Sequence, residues 1–274
     1  MNMTIKDLWQ LEYAKWKQNS VINILMIMYI AIPPAVLLLA KEIRDLPNDF
    51  SAKSFFIFPT VWDWLGYVGS WCSFFFLGLV AIFMIVNEVS YKTFRQSIIN
   101  GMTRRQYLLA KLVGITGISI FATLYYAFVA IVSGLIHTKS PSLSYVFDNS
   151  YAIFRYFLMT FAYMSIGLFV GLLIRRSGVA VLLYIIYLLG IEQGIKWGLH
   201  FRYFNNWTIN FYPGNVIEDL CPLPLYRLPD AFVGMRKEVN FDILLPYWQA
   251  ILASVIWLTI IWLLSYRMMM RKDL

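Results

Sequence analysis

Residues 152–199 read AIFRYFLMTFAYMSIGLFVGLLIRRSGVAVLLYIIYLLGIEQGIKWGL. Two apolar runs, 152–174 and 178–199, are separated only by Arg175, Arg176 and Ser177. Each run is long enough to cross roughly 30 Å of hydrocarbon at about 1.5 Å per helical residue. Three residues cannot carry the chain back across a bilayer, so the runs form an antiparallel hairpin of membrane-spanning helices.

Four further runs meet the same length criterion, at about 21–40, 64–86, 107–136 and 247–266. The first contains Pro33-Pro34, which removes two amide donors and predicts a kink. The third is long for a single crossing and is expected to tilt or to project from the bilayer. Composition agrees. Apolar residues make up 60% of the 274 and charged residues only 14%, against about 25% in a typical soluble domain. Lipid removes the need for a charged surface. The expected fold is therefore an all-α membrane protein of six spans, forming one domain over residues 1–274.

The net charge of +8 is read as basic loops held beside anionic lipid and not as a nucleic-acid surface. With both termini inside, thirteen basic residues lie on the cytoplasmic side: Lys6, Lys15, Lys17, Lys92, Arg95, Arg104, Arg105, Lys111, Arg175, Arg176, Arg267, Arg271 and Lys272. Ten lie outside, four of them in a long segment near 200–246 that carries little topological weight. The reading is N-in, C-in. Residues 4–18 predict an amphipathic helix with Ile5, Leu8, Trp9, Tyr13 and Trp16 on one apolar face. It lies in the inner interface or forms a short cytosolic lead-in. The segment 200–246 is rich in proline and aromatics and reads as an extracytoplasmic region of turns and short helices.

Catalytic signatures are absent from the sequence. There is no phosphate-binding G-x-x-x-x-G-K-[ST], no H-E-x-x-H and no G-x-S-x-G. His137 and His200 fall at predicted outer membrane edges and read as interfacial residues, not metal ligands. Cys72 and Cys221 are not expected to pair. No catalytic residue and no metal site is assigned. Glu192 and Lys196, at i,i+4 near the outer end of the fifth run, read as a local ion pair or as the lining of an outer gate. Gly190, Gly194 and Gly198 recur on one face of that run, and Gly167 and Gly171 do so in the fourth. Small residues at this spacing admit close helix approach, within one chain or across a subunit interface.

The most specific stretch is Asn87-Glu-Val-Ser-Tyr-Lys-Thr-Phe-Arg-Gln-Ser-Ile-Ile-Asn-Gly-Met-Thr-Arg-Arg-Gln-Tyr-Leu-Leu-Ala-Lys111, between the second and third spans. Tyr91, Phe94 and Ile98 form an apolar stripe on a short helix over about 90–100. Asn100-Gly101 predicts its stop. Thr103 with Gln106 predicts a capping box that starts the next helix in the cytoplasm. A compact helix with charges on its rim suits insertion of an apolar ridge into a groove on a soluble partner, or it lies flat on the membrane.

This stretch resembles the first cytoplasmic loop of ABC-2 type permeases, the transmembrane subunits of a class of ABC exporters. The matching positions are Glu88, Thr93 and Arg95, the Asn100-Gly101 turn, Thr103-Arg104-Arg105, and Lys111. Lys92 stands where the family often has glycine, and Gly101-Met102 where it often has proline. The resemblance implies a coupling helix contacting a separate ABC ATPase subunit through Glu88, Tyr91, Lys92, Thr93, Phe94, Arg95, Ile98, Arg104 and Arg105. It implies two permease subunits, alike or different, in a cell membrane, the inner one in a bacterium. ATP and Mg would be bound by the partner ATPase and no cofactor by this chain, which would not itself be an enzyme. The alternative is a secondary transporter or channel working without an ATPase. The sequence does not name the cargo.

Overall fold

The computed structural model describes residues 4–40, 55–91, 93–139, 142–204, 206–227 and 244–271. Among the described residues all regular structure is helical, and six helices are long and apolar enough to cross a membrane. In chain order they are α1 (Ile5–Lys17), α2 (Ser20–Ala40), α3 (Val61–Ser90), α4 (Thr93–Ile99), α5 (Arg104–His137), α6 (Leu143–Phe147), α7 (Ala152–Ile174), α8 (Ser177–Tyr203), α9 (Pro213–Glu218) and α10 (Tyr247–Arg271). The candidate spans are α2, α3, α5, α7, α8 and α10. α1 and α4 lie at one end of the bundle. α6, α9 and the 3-10 turns Trp207–Phe211 and Pro224–Arg227 lie at the other, here called the cap end.

α3 and α7 form the centre. Glycine lets their backbones meet: a Cβ on Gly167 would stand 2.2 Å from the carbonyl oxygen of Gly78, and one on Gly171 would stand 3.3 Å from that of Ile82. Lipid offers no hydrophobic drive between helices, so this close dispersion contact holds the pair together. The turn after α7 is the expected one. Arg175 ends the helix at φ +57°, Arg176 is extended, and α8 begins at Ser177.

Two irregularities are satisfied by tyrosines. α2 continues through Pro33 and Pro34, and Pro34 leaves the Ile30 carbonyl without its i+4 donor. The Tyr125 hydroxyl from α5 supplies that hydrogen bond. A π turn interrupts α3 at Ser73–Leu77. Around it, Tyr156 donates to Gly69 O at 3.3 Å and Tyr184 to Phe74 O at 3.2 Å. Tyr29 and Tyr156 join hydroxyl to hydroxyl at 2.7 Å, and Ser73 reaches Thr160 at 3.2 Å. Buried backbone without water must find such partners.

α8 is irregular for a related reason. Its buried residues Ala180, Tyr184, Leu188, Glu192 and Lys196 recur every four positions. In a pure α-helix that seam would drift by about 40° per step. π turns at Tyr187–Ile191 and Gly194–His200 wind more residues into each turn and hold the seam against the bundle.

Candidate coupling site

α4 is seven residues long and sits between the ends of α3 and α5. Gly101 takes φ +92°, the left-handed conformation that stops a helix. The Thr103–Gln106 capping box is present in both directions and starts α5. Thr93 Oγ1 donates to the Glu88 carbonyl at 3.2 Å, and Ser97 Oγ to the Thr93 carbonyl at 2.9 Å. These short-range bonds shape the connection locally.

The apolar stripe is turned inward. Phe94 is 6% exposed and meets the Tyr107 ring edge-on at 4.6 Å between centroids. Ile98 packs against the core. These two residues therefore dock α4 onto its own chain and do not form a free ridge. Tyr91 and Ile99 are exposed, at 76% and 77%, together with Arg95, Gln96 and Asn100. Lys92 lies outside the described residues.

Beneath α4 is a buried ionic cluster. Lys111 of α5 is fully buried and its Nζ donates to Glu12 Oε2 of α1 at 2.7 Å and to Glu88 Oε1 of α3. Lys15 of α1 closes the ring from the more open side, 3.1 Å from Glu12 and 3.0 Å from Glu88. The Tyr107 ring lies 5.1 Å from Lys111 Nζ and 5.7 Å from Lys15 Nζ. Two cations against two carboxylates leave no net charge. Glu88 thus lies inside the protein, joining three helices.

The same cluster sets the position of α1. Its buried residues are Leu8, Glu12 and Trp16, while Ile5 and Tyr13 are exposed. Trp9 and Trp16 lie over Gly117 and Gly114 of α5, where a Cβ would come within 1.9 and 2.6 Å of the indoles. Arg104 donates to the carbonyls of Met269 and Met270 at the end of α10, at 3.1 and 3.3 Å. That pairing suits a cation at a helix C-terminus. Arg105 lies over the Tyr266 ring at 6.0 Å. Of the sequence-derived contact set, Tyr91 and Arg95 remain outward-facing, while Glu88, Phe94, Ile98, Arg104 and Arg105 bind their own chain. Sequence reading missed Glu12 as a site residue. Its signal was a carboxylate four residues from both Leu8 and Trp16, on the apolar face.

At the cap end, Glu192 and Lys196 each hydrogen-bond to the cap and not to each other, and Glu192 also accepts from Tyr187 of its own helix. Glu192 accepts from the backbone N–H groups of Gly214 and Asn215 at 3.0 and 2.9 Å, capping α9. Lys196 donates to Asn215 Oδ1. The π turns alter the i,i+4 geometry on which a local pair depends. Asp219 accepts from Asn215 Nδ2 at 3.1 Å and from Leu245 N at 3.0 Å. Burial pushes the Glu218 carboxyl up to about 7, Lys196 opposing and Glu192 adding to the rise. A second ionic node lies nearby. Arg155, 1% exposed, donates to Asp63 Oδ1 and the Leu220 carbonyl, each at 3.0 Å, and its guanidinium lies 3.6 Å from the Tyr247 ring centroid. Gly194 and Gly198 would meet nothing within 4 Å if given a Cβ, and Gly190 only Ile186 at 3.9 Å. That face of α8 has no packing partner among the described residues of its own chain.

The described residues form a bundle of six candidate membrane spans with a short helix packed between the ends of the second and third. The family profile described as ABC-2 family transporter protein matches residues 34–274, and the chain belongs to that family. The match begins after α1, so Glu12 and Lys15 lie outside the matched region. No curated protein matches the chain.

Proposed function

We propose that this chain is the permease half of an ATP-driven exporter, with α4 as its coupling helix on a separate ATP-hydrolysing chain. The observation that carries the proposal is the fixed seat of α4. Phe94 and Ile98 hold it down, the Lys111 cluster locks the helices on both sides, and an exposed face is left with Tyr91, Arg95, Gln96 and Ile99. A push on that face is delivered to α3 and α5 together. Proteins of this family generally work with an ABC ATPase, which supports the partner's identity. The basic residues at the α4 end support a cytoplasmic location for it and for both termini, with α1 at the inner interface.

The chain would supply substrate path and coupling, while ATP and Mg would be held by the partner, leaving this chain without hydrolytic activity. The open glycine face of α8 is where a second permease subunit, the same or different, would pack. The setting would be a cell membrane.

The test is the complex in liposomes. Arg95→Glu and Tyr91→Ala should each lower cargo-stimulated ATP hydrolysis about tenfold while insertion and melting temperature stay at wild-type values. Gln96→Cys should react with a membrane-impermeant thiol reagent only from the cytoplasmic side. Unchanged coupling in both variants, or labelling from outside, would overturn the proposal. Full transport by this chain alone without nucleotide would instead favour an ATPase-independent transporter.

A further inference from the structure

Beneath the cap lies a cavity of about 270 Å³ between α3, α8 and α9. Its walls change chemistry from one end to the other. On the side facing the bundle they are aromatic. Trp71 meets Tyr67 at 6.5 Å and Phe74 at 6.3 Å, both edge-on, and Phe74 meets Tyr163 at 5.7 Å. On the cap side they are polar, with Gln193, Lys196, Asn215, Glu218 and Asp219. Trp71 and Trp197, both on the lining, are each 41% exposed, so the cavity also opens sideways.

The polar groups are not equally committed. Asp219 is used by Asn215 and Leu245 N, Lys196 by Asn215, and Glu192, just behind Gly214, by α9. The Glu218 carboxylate accepts no hydrogen bond among the described residues, and the Gln193 side chain likewise makes none. Around the cavity three carboxylates, Glu192, Glu218 and Asp219, face one ammonium, Lys196, so the local charge is negative when all are ionised. Aromatic faces attract a cation through their quadrupole. Burial has already made ionisation of Glu218 unfavourable, and an arriving cation would reverse that.

We propose that this cavity is a binding site for an amphipathic organic amine, its ammonium group on Glu218 and Gln193 and its apolar part against Trp71 and Phe74. A neutral ligand of the same shape would lose the ion pair, and an anion would meet the carboxylates. The site lies at the opposite end of the bundle from α4, and binding requires no nucleotide. It therefore stands or falls separately from the coupling function.

Three probes share one skeleton and differ in charge: 2-phenylethylamine, 2-phenylethanol and phenylacetate. Their binding is measured by equilibrium dialysis against the purified full chain in lipid nanodiscs, with protein-free nanodiscs as blank. The amine should bind saturably and at least tenfold more tightly than the alcohol at pH 7.5, and phenylacetate should not bind. Glu218→Gln should reduce the amine's affinity about tenfold and leave the alcohol's unchanged, while Trp71→Ala should weaken both. In the wild-type chain the amine's affinity should rise from pH 6 to pH 8 as Glu218 ionises, a measurement that needs no variant. The proposal is overturned by absence of saturable amine binding, by equal affinity for the three probes, or by a flat pH profile. Retained affinity in a folded Glu218→Gln chain overturns it equally.

Discussion

Replacing Lys111 by methionine removes one ammonium and keeps most of the side-chain volume. Lys111 is the fully buried cation between Glu12 and Glu88. Removing one partner of a buried ion pair costs about 3–5 kcal/mol, because the remaining charge is left uncompensated. Lys15 still contacts both carboxylates at 3.1 and 3.0 Å, but its side chain is 26% exposed and water screens it. The residual pairing places the expected loss near the lower bound, about 3 kcal/mol. For a chain of this size that corresponds to a melting temperature lower by roughly 6–12 °C. The assay is thermal unfolding of the purified protein in detergent, followed by thiol accessibility of Cys72 and Cys221, both buried in the native chain. The Glu12→Gln, Lys111→Met, Glu88→Gln triple variant carries no orphaned carboxylate in the cluster and should recover at least half of the loss. Lys15→Met should cost less than about 1 kcal/mol, as partly exposed pairs do. A Lys111→Met protein melting within 1 °C of wild type, or a triple variant less stable than the single one, would refute the assignment of the cluster as a charge-balanced joint.

Gly167→Ala places a methyl 2.2 Å from the Gly78 carbonyl, so α3 and α7 must part, with a loss of about 1–3 kcal/mol visible as a lower melting temperature. Gly194→Ala meets open space in its own chain and should not lower the monomer's stability, a contrast readable in the same melt. Glu192→Ala strips two backbone donors of their acceptor and should cost about 1–3 kcal/mol, detected as faster proteolysis within residues 206–227. The Glu218 carboxyl is raised to about 7 in the folded chain from an ordinary 4.5, so the folded state holds the proton more tightly than the unfolded one. Its contribution is complete below pH 4.5 and is lost as pH rises through 7, by at most about 3 kcal/mol. Glu218→Gln should flatten that part of the stability–pH curve.

The local features were legible because their causes are local. The six runs, the Arg175–Ser177 turn, the Gly101 stop and the Thr103–Gln106 box all follow from neighbours within a few positions. The cluster was not, since Lys111 and Glu12 are 99 residues apart and no periodicity links them. The direction of the apolar faces was also hidden. Phe94 and Tyr91 lie on one predicted stripe, yet one is buried against Tyr107 and the other exposed. Ile5 and Leu8 part in the same way. In a membrane chain, apolar character marks lipid-facing and core-facing positions alike, so a stripe shows that a face is apolar without showing what covers it. The i,i+4 rule for Glu192 and Lys196 assumes an α-helical turn, and α8 has π turns there.

The placement of charge explains how the bundle holds together without charge in its middle. Both ionic nodes join a non-spanning segment to the spans. Glu12 and Lys15 tie α1 to α3 and α5, while Arg155 ties α7 to Asp63 of α3 and to the backbone at Leu220. Between them the polar groups are neutral hydroxyls, those of Tyr29, Tyr156, Ser73 and Thr160, engaged with one another and with backbone carbonyls. Neutral hydroxyls cost less to bury than ions and still satisfy carbonyls freed by a π turn or a proline. α3 is fixed by an acidic residue at each end, Asp63 and Glu88, and it shares its middle with α7 through Gly78 and Gly167. In the proposed coupling role of α4, a displacement entering there would pass from α3 to α7 through the Gly78–Gly167 contact, and the irregular α8, whose buried residues recur at every fourth position, would be the boundary of that movement.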